Sequence, residues 1–299
     1  MRARPRVGVV VLTQGTRPDD LARGLASVAA QREVDTDVVV VGNGWSPAGV
    51  PASVRTLALP ENVGIPAGRN RGAEALAAGD HGWLLFLDDD ASLAGETFLA
   101  DAIALVERDP RIGLVQPRVV DPALAAGPGA ASPRRWVPRI RKGDPAASGA
   151  VFSVWEGAVV LPRAVFERAG GWGEPYWYAH EGIELAWRVW AAGGIAWYAG
   201  GLVAHHPAIS PTRHAEYYRL NARNRVWLAK RNLPWPLVPV YVASWTGVQL
   251  VRGIRSRGAG LGPWFAGWLE GWRRDPGGRR SIGWVTVRRM TAAGRPPLI

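Results

Sequence analysis

An α/β fold on a mostly parallel sheet is predicted by three observations. Apolar, β-branched runs alternate with segments of helical periodicity through the first 120 residues. The first of those runs has no polar position, as a strand buried on both faces requires. Several runs end in a polar residue, which is where open sheets of this class bind ligands.

In chain order, VGVVVL (7–12) predicts the first strand. Asp19 and Asp20 are placed to cap a helix on which Leu21, Leu25 and Val28 recur. DVVVVGN (37–43) and VRTLAL (54–59) are the next strands, and GIPAGRNRGAEALAAG (64–79) is a loop entering an alanine-rich helix. WLLFL (83–87) is a strand, Leu99, Ile103 and Val106 mark a helix, and IGLVQPRVV (112–120) is a further strand. Such alternation implies crossover connections. Residues 121–149, rich in Pro, Gly, Ala and Arg, predict a long flexible loop over the site. VFSVWEGAVVLPRAVFERAGGWG reads as a strand pair and short helix, EGIELAWRVWAAGG (181–194) as a helix ended by glycines, and IAWYAGGLVAHH as another strand pair.

The rest of the chain differs in character. Leu233 to Val251 are nineteen residues without formal charge, close to a bilayer span. Pro234, Pro236 and Pro239 crowd the start and Ser244, Thr246 and Gln249 dilute the remainder, so a buried or interfacial helix is expected. Trp264, Trp268 and Trp272 then fall four apart on one helical face with arginines beyond. Two readings stay open: a stripe packed on its own domain, or indole and guanidinium at an anionic headgroup layer.

Composition narrows the function classes. The chain of 299 residues has ample core, and no cysteine, which excludes disulfides, thiolate zinc sites and thiol chemistry. The net charge of +11 is carried almost wholly by arginine, Lys142 and Lys230 being the two lysines. That bias fits a GC-rich genome and is not read as nucleic-acid binding. From Arg252 onward ten arginines face two acids, Glu270 and Asp275, which points to anionic lipid, nucleic acid or an acidic partner. MRARPRVGVVVLTQ has too short an apolar stretch for a signal peptide, so a cytoplasmic protein, peripheral on the inner face of the plasma membrane, is expected.

The chemistry gathers at strand ends. Thr13, Asn43 and Asp88-Asp89-Asp90 each close an apolar run, and in a parallel sheet these ends converge. Three adjacent carboxylates either raise one another's pKa or require a cation. As an isolated motif they could also be a solvated turn that caps a helix. Hard oxygen donors suit magnesium or manganese, and through it a diphosphate. Neither a P-loop nor a G-x-G-x-x-G fingerprint follows the first strand.

The order of motifs resembles the inverting family-2 glycosyltransferases, rhamnosyl- and galactofuranosyl-transferase-like members among them, over roughly residues 6–230. VVVLTQGTRPDDL resembles that family's first strand end, NVGIPAGRNRGAEA its Arg-Asn segment, and LFLDDDA its Asp-x-Asp motif. WEGAVVLPRAVFERAGGWGEPYWYAHEGIELAWRVWAAGG resembles its acceptor-side block, and HH with Ser210 beyond, then YYRLNARNRVWLAKR, complete the pattern. The resemblance implies a GT-A fold, Rossmann-like with a helical C-terminal extension: residues 1–232 form the catalytic domain, with a nucleotide-binding half at 1–120 and an acceptor-side half at 150–232, and residues 233–299 form a Trp/Arg-rich helical region.

It further implies that Thr13, Asn43, Arg69, Asn70, Asp88 and Asp89 bind a UDP- or dTDP-linked donor. Asp90 with His205 or His206 would hold Mg²⁺ or Mn²⁺. Neighbouring histidines on a strand face opposite ways, so one of the two packs instead. Relatives carry Glu-Asp-x-Asp where this chain has Glu181-Gly182-Ile183-Glu184, which leaves Glu181 as the base and Glu184 free to pair with Arg188 at i+4. Trp155, Glu156, Trp172, Tyr176 and Trp177 are candidates for an aromatic wall around a glycan, lipid-linked or small-molecule acceptor, although such clusters also build cores. The implied activity is metal-dependent hexosyl transfer with inversion, of the kind used in bacterial cell-wall and polysaccharide synthesis. The rival expectations are a sugar nucleotidyltransferase, whose glycine-rich first loop LTQGTRPDD lacks, and a basic, tryptophan-bearing module that binds a membrane or polymer without catalysis.

Overall fold

The computed structural model describes residues 3–121, 144–207 and 215–298. Most of the expected loop over the site, and Ser210, lie outside these residues. Strand β1 (Arg6–Thr13) pairs in parallel with β2 (Asp35–Asn43) on one side and β4 (Trp83–Asp88) on the other, and β3 (Arg55–Leu59) extends the sheet beyond β2. Helices α1 (Pro18–Ala29) and α2 (Ile65–Ala75) make the crossovers, and α3 (Phe98–Arg108) leads to β6 (Ile112–Val120). Pro18 opens α1, so Asp19 and Asp20 occupy its first turn rather than its cap, where their charge still favours the helix dipole.

The second half of the sheet is mixed. Strand β8 (Ala158–Pro162) runs antiparallel between β4 and β6, while β9 (Ile195–His205) is parallel to β6. The short strands β5 (Ser92–Leu93) and β7 (Gly149–Ala150) pair antiparallel with β9. Two expected strand pairs are corrected here. In VFSVWEGAVVLP only Ala158–Pro162 is a strand, because the residues before it line a cavity instead of pairing. IAWYAGGLVAHH is one strand whose register to β6 jumps from Ala199 to Val203, leaving the intervening residues as a bulge.

Alternating side chains of β1 and β4 enter two cores. Val9, Val11, Leu85 and Leu87 pack with α1 and α3, while Val10, Leu12, Leu84 and Phe86 pack with the opposite layer. That layer holds α2, α4 (Arg163–Ala169) and α5 (Glu181–Ala191). Helix α2 lies unusually close to β1: a Cβ on Gly68 would stand 2.5 Å from Leu12 Cδ1, and one on Gly72 2.3 Å from Val10 Cγ1. This approach drives Arg69, which follows Gly68, into the interior at 2% exposure.

Beyond α6 (Ala215–Asn232), residues 233–298 form α7 (Leu237–Arg255), α8 (Leu261–Arg273) and α9 (Gly283–Ala292). They share the main core, to which α7 gives Tyr241 and Val242 and α9 gives Val287 and Met290. Helix α8 crosses α6 at Gly267 and Gly271, where a Cβ would strike the backbone of Arg219 and the side chain of Val226. Trp264 is buried, Trp268 packs against the core and Trp272 is exposed, so most of the tryptophan row is spent on the domain itself. No helix among the described residues is long and apolar enough to cross a membrane.

A buried ion network fastens α5 to this C-terminal region. Glu184 accepts from Arg188 Nη2 at 2.8 Å, Arg231 Nε at 2.7 Å and Asn232 Nδ2 at 3.0 Å, and Arg231 also donates to the Pro276 carbonyl. Burial alone would raise the Glu184 carboxyl, but Arg188 and Arg231 outweigh it and hold the pKa below the usual range. Replacing Glu184 by alanine leaves both guanidinium groups buried without their counter-charge. Denaturant titration of Glu184→Ala is expected to show a loss of about 3–5 kcal/mol.

Candidate active site

The carboxyl ends of β1, β2 and β4 stand side by side, with Thr13 opposite Gly42 and Leu12 opposite Asp88 in register. The three aspartates therefore project into one lobe of about 210 Å³, lined also by Thr13, Gln14, Asn43 and Arg17. Each acid has a different partner. Asp88 Oδ1 accepts from Arg69 Nη2 at 2.6 Å, Asp89 Oδ2 from Thr13 Oγ1 at 2.6 Å, and Asp90 Oδ2 from Arg17 Nη1 at 2.6 Å. His206 Nε2 lies 3.1 Å from Asp90 Oδ1. Burial pushes the Asp89 carboxyl up, the Thr13 hydrogen bond opposes this, and Asp88 and Asp90 push further. Asp90 also suffers burial, but its hydrogen bond to His206 and the charges of His206 and Arg17 prevail and lower its pKa. The two arginines, the hydroxyl and the imidazole thus relieve much of the repulsion expected between the acids.

Asp90 and His206 form a mixed carboxylate–imidazole donor pair at the mouth of this lobe. No cluster of three such groups able to hold an ion by itself occurs among the described residues. As hard and borderline donors, these two side chains would suit a magnesium or manganese ion that a bound phosphate also helps to hold. His205 is not brought to Asp90: it pairs with Ser92 across β9 and β5, and the nearby Arg23 charge adds to burial in lowering its pKa. Asn43 lines the lobe but spends its amide on the loop, donating to Asn62 at 2.9 Å and accepting from the Val63 amide at 2.9 Å. Asn70 points elsewhere and braces the 172–174 segment through the Trp172 backbone and Glu174.

A second cavity, of about 430 Å³, opens beside the first, and Ile65 and Asp88 line both. Trp155, Glu156, Tyr178, His180 and Glu181 form its near wall, and α6 contributes Tyr217, Asn221 and Arg225. Of the expected aromatic wall, Trp155 takes its place there and meets His206 edge-on at 5.1 Å. Trp172 and Tyr176 are core residues instead. Trp177 sits on Gly64 outside the lining, its positive φ of 63° letting its carbonyl accept from the Ile65 amide.

Glu181 begins α5 at the cavity wall, with 3% of its surface exposed. Glycine at 182 replaces the second acid expected there, and the structure gives the reason. A Cβ at Gly182 would stand 2.2 Å from Glu156 Oε1, which accepts the Gly182 amide at 2.7 Å. The second carboxylate beside Glu181 is supplied by Glu156, from another segment of the chain. Burial, then the Glu156 charge, push Glu181 up to about 8, and Arg69 opposes them. Burial also raises Glu156, again against Arg69. The pair therefore holds a proton at neutral pH. Arg17, His180, Asn221 and Arg225 carry no signal in the sequence, since each is one polar residue among many and only the tertiary structure brings it to a cavity.

The raised Glu181 carboxyl sets a pH signature. A folded-state pKa of about 8 against an ordinary 4.5 stabilises the protein fully below pH 4.5 and loses that contribution as pH rises through 8. Glu181→Gln is expected to flatten this decline, gaining stability relative to the parent as pH rises, in thermal unfolding followed from pH 5 to 9.

Comparison with known proteins bears on the fold and the family. No curated protein matches the chain. Solved structures that share its fold include the following two. One is GalNAc-T7 with UDP, GalNAc and Mn²⁺, at 15% identity and a TM-score of 0.65 over 100% of this chain and 59% of that one. The other is the mannosyltransferase PcManGT from Pyrobaculum calidifontis with GDP-Man and Mn²⁺, at 16% identity and a TM-score of 0.59 over 91% and 88%. The chain thus spans about three fifths of the first structure's length. The described sheet and its flanking helices are a GT-A fold. Residues 9–167, more than half the chain, match the profile of Glycosyl transferase family 2, and the protein belongs to that family.

Proposed function

We propose that the protein is a metal-dependent, inverting glycosyltransferase that moves a hexosyl group from a UDP- or dTDP-linked donor to an acceptor hydroxyl. The observation that carries this reading is the buried Glu181–Glu156 pair beside Asp88, the acid that lines both cavities. The lobe at Thr13, Arg17, Asp88 and Asp89, with Arg69 behind Asp88, takes the nucleotide diphosphate, and the neighbouring cavity takes a glycan, lipid-linked or small-molecule acceptor. The motif order supports a rhamnosyl or galactofuranosyl donor. Both similar structures were determined with a nucleotide or nucleotide sugar and Mn²⁺, which supports the donor class.

Glu181, once deprotonated, accepts the proton of the acceptor hydroxyl, whose oxygen forms a bond to the anomeric carbon. The bond from that carbon to the diphosphate oxygen breaks on the opposite face, so one displacement inverts the centre. Arg17 and Arg69 sit where charge develops on the leaving diphosphate. A divalent ion on Asp90 and His206, when bound, would supply further neutralisation of that diphosphate. Glu156 tunes the base: its negative charge raises Glu181 towards the working pH.

The C-terminal helices support contact with the inner face of the plasma membrane. The outward side of α7 is apolar along Val240, Ala243, Gly247, Leu250, Val251 and Ile254, and Ile254 is 79% exposed. Phe265, Leu269 and Trp272 continue it on α8, with arginines alongside and few acids. This surface favours peripheral binding to anionic lipid in addition to catalysis.

Two measurements check these proposals. Nucleoside diphosphate release with Mn²⁺ and acceptor is expected to fall at least about 100-fold in Glu181→Gln. Its rise with pH, centred near 8 in the parent, is expected to move to lower pH in Glu156→Gln, because removing a like charge lowers the Glu181 pKa. Full activity in Glu181→Gln removes the assignment of the base. In co-sedimentation, vesicles containing phosphatidylglycerol are expected to retain the protein better than phosphatidylcholine alone, and Val251→Ser with Ile254→Ser to release it. Equal recovery in all three samples rejects the membrane surface.

A further inference from the structure

We propose that Arg225 is an oxyanion subsite, so that the acceptor carries a phosphate or carboxylate group; this rests on the glycosyl-transfer reading above. Tyr217, Asn221 and Arg225 are spaced four residues apart on α6 and line the acceptor cavity together. The Arg225 guanidinium is held from behind by α7. Its Nη1 donates to the Tyr241 hydroxyl at 3.1 Å, and its Cζ stacks 3.8 Å from the centre of the Trp245 ring. These contacts fix the plane of the fork and neutralise none of its charge.

Arg225 is half-buried, and the fully buried arginines among the described residues are matched by acids. Arg69 has Asp88, Arg188 and Arg231 share Glu184, and Arg223 reaches Glu270. Among the ion pairs of the described residues none includes Arg225, although Glu156 and Glu181 line the same cavity. Those two carboxylates take their compensation from Arg69. A desolvated cation without a counter-ion is costly, and a ligand that brings the charge removes the cost.

His180 is an independent pointer to a polar ligand. It is 6% exposed, lines the cavity, and neither ring nitrogen has a hydrogen-bond partner. Burial and the Arg225 charge keep it neutral, which leaves one N–H donor and one acceptor for a ligand. A neutral sugar could satisfy the imidazole and the Asn221 amide but not the guanidinium. A phosphate or carboxylate matches its planar fork with two parallel hydrogen bonds.

The test is calorimetric titration with the donor lobe saturated by UDP or dTDP and Mn²⁺. The probes are glucose, glucose 6-phosphate and glucuronate. At least one anionic probe is expected to bind about tenfold tighter than glucose, as a hydrogen-bonded charge pair implies. The phosphate and carboxylate arms show which oxyanion fits. Arg225→Gln should erase the preference. Asn221→Asp, which sets a competing carboxylate one turn from the guanidinium, should reduce it in a protein that keeps Arg225. Equal affinities in the parent overturn the proposal, as does an undiminished preference in folded Arg225→Gln; should that variant not fold, an undiminished preference in Asn221→Asp decides against it. Nucleoside diphosphate binding is read separately by its shift in melting temperature. If no nucleoside diphosphate binds, the glycosyl-transfer reading fails, while the comparison of probes between parent and variants still decides the role of Arg225.

Discussion

The salt bridge between Arg69 and Asp88 is the contact on which the site depends. It joins α2 to the end of β4 at 2.6 Å, inside the protein, and Asp88 is the wall between the two cavities. The guanidinium lies 4.8 Å from the Trp172 ring centre, and its Nε and Nη1 have no hydrogen-bond partner. It is also the positive charge that tempers Glu156 and Glu181. One cation therefore balances three carboxylates from three segments. It can do so only because Gly68 and Gly72 let α2 lie against β1.

Charge is divided across the groove by this arrangement. On one side the aspartates are matched by Arg17, Arg69 and His206, which gives a polar lobe suited to a charged diphosphate. On the other the two glutamates are under-compensated and hold a proton between them, the condition for a carboxyl that exchanges protons near neutral pH. Carboxylates a few residues apart in fold space thus differ in protonation because their cations differ.

The C-terminal helices belong to the same design. Glu184, three residues after Glu181 on α5, is locked by Arg188 and Arg231, which fixes the helix that presents the glutamate. Helix α7 packs its inner face on the core, holds Arg225 through Tyr241 and Trp245, and turns an apolar face outward. The helix that carries the apolar surface thereby also backs an arginine of the acceptor cavity.

The strands of the parallel half and the convergence of Thr13, Asn43 and Asp88 were legible from residue pattern, because buried β-branched runs have few alternatives; the order of those strands in the sheet was not. The role of Glu184 could also be read, since its i+4 arginine is local. Local pattern fails where partners are distant in sequence. The family resemblance put Asn70 near the donor, and chain spacing gave no sign that its amide bonds the Trp172 backbone about a hundred positions away. Local pattern could not choose between His205 and His206, because that choice depends on which face of β9 meets Asp90. The family resemblance marked a missing acid at Gly182, and local pattern could not see Glu156 filling the space. What the sequence determined by itself was the scaffold and the edge at which ligands gather; the pairing of charges was decided by tertiary structure alone, because electrostatic energy depends on distances and burial that chain spacing does not encode.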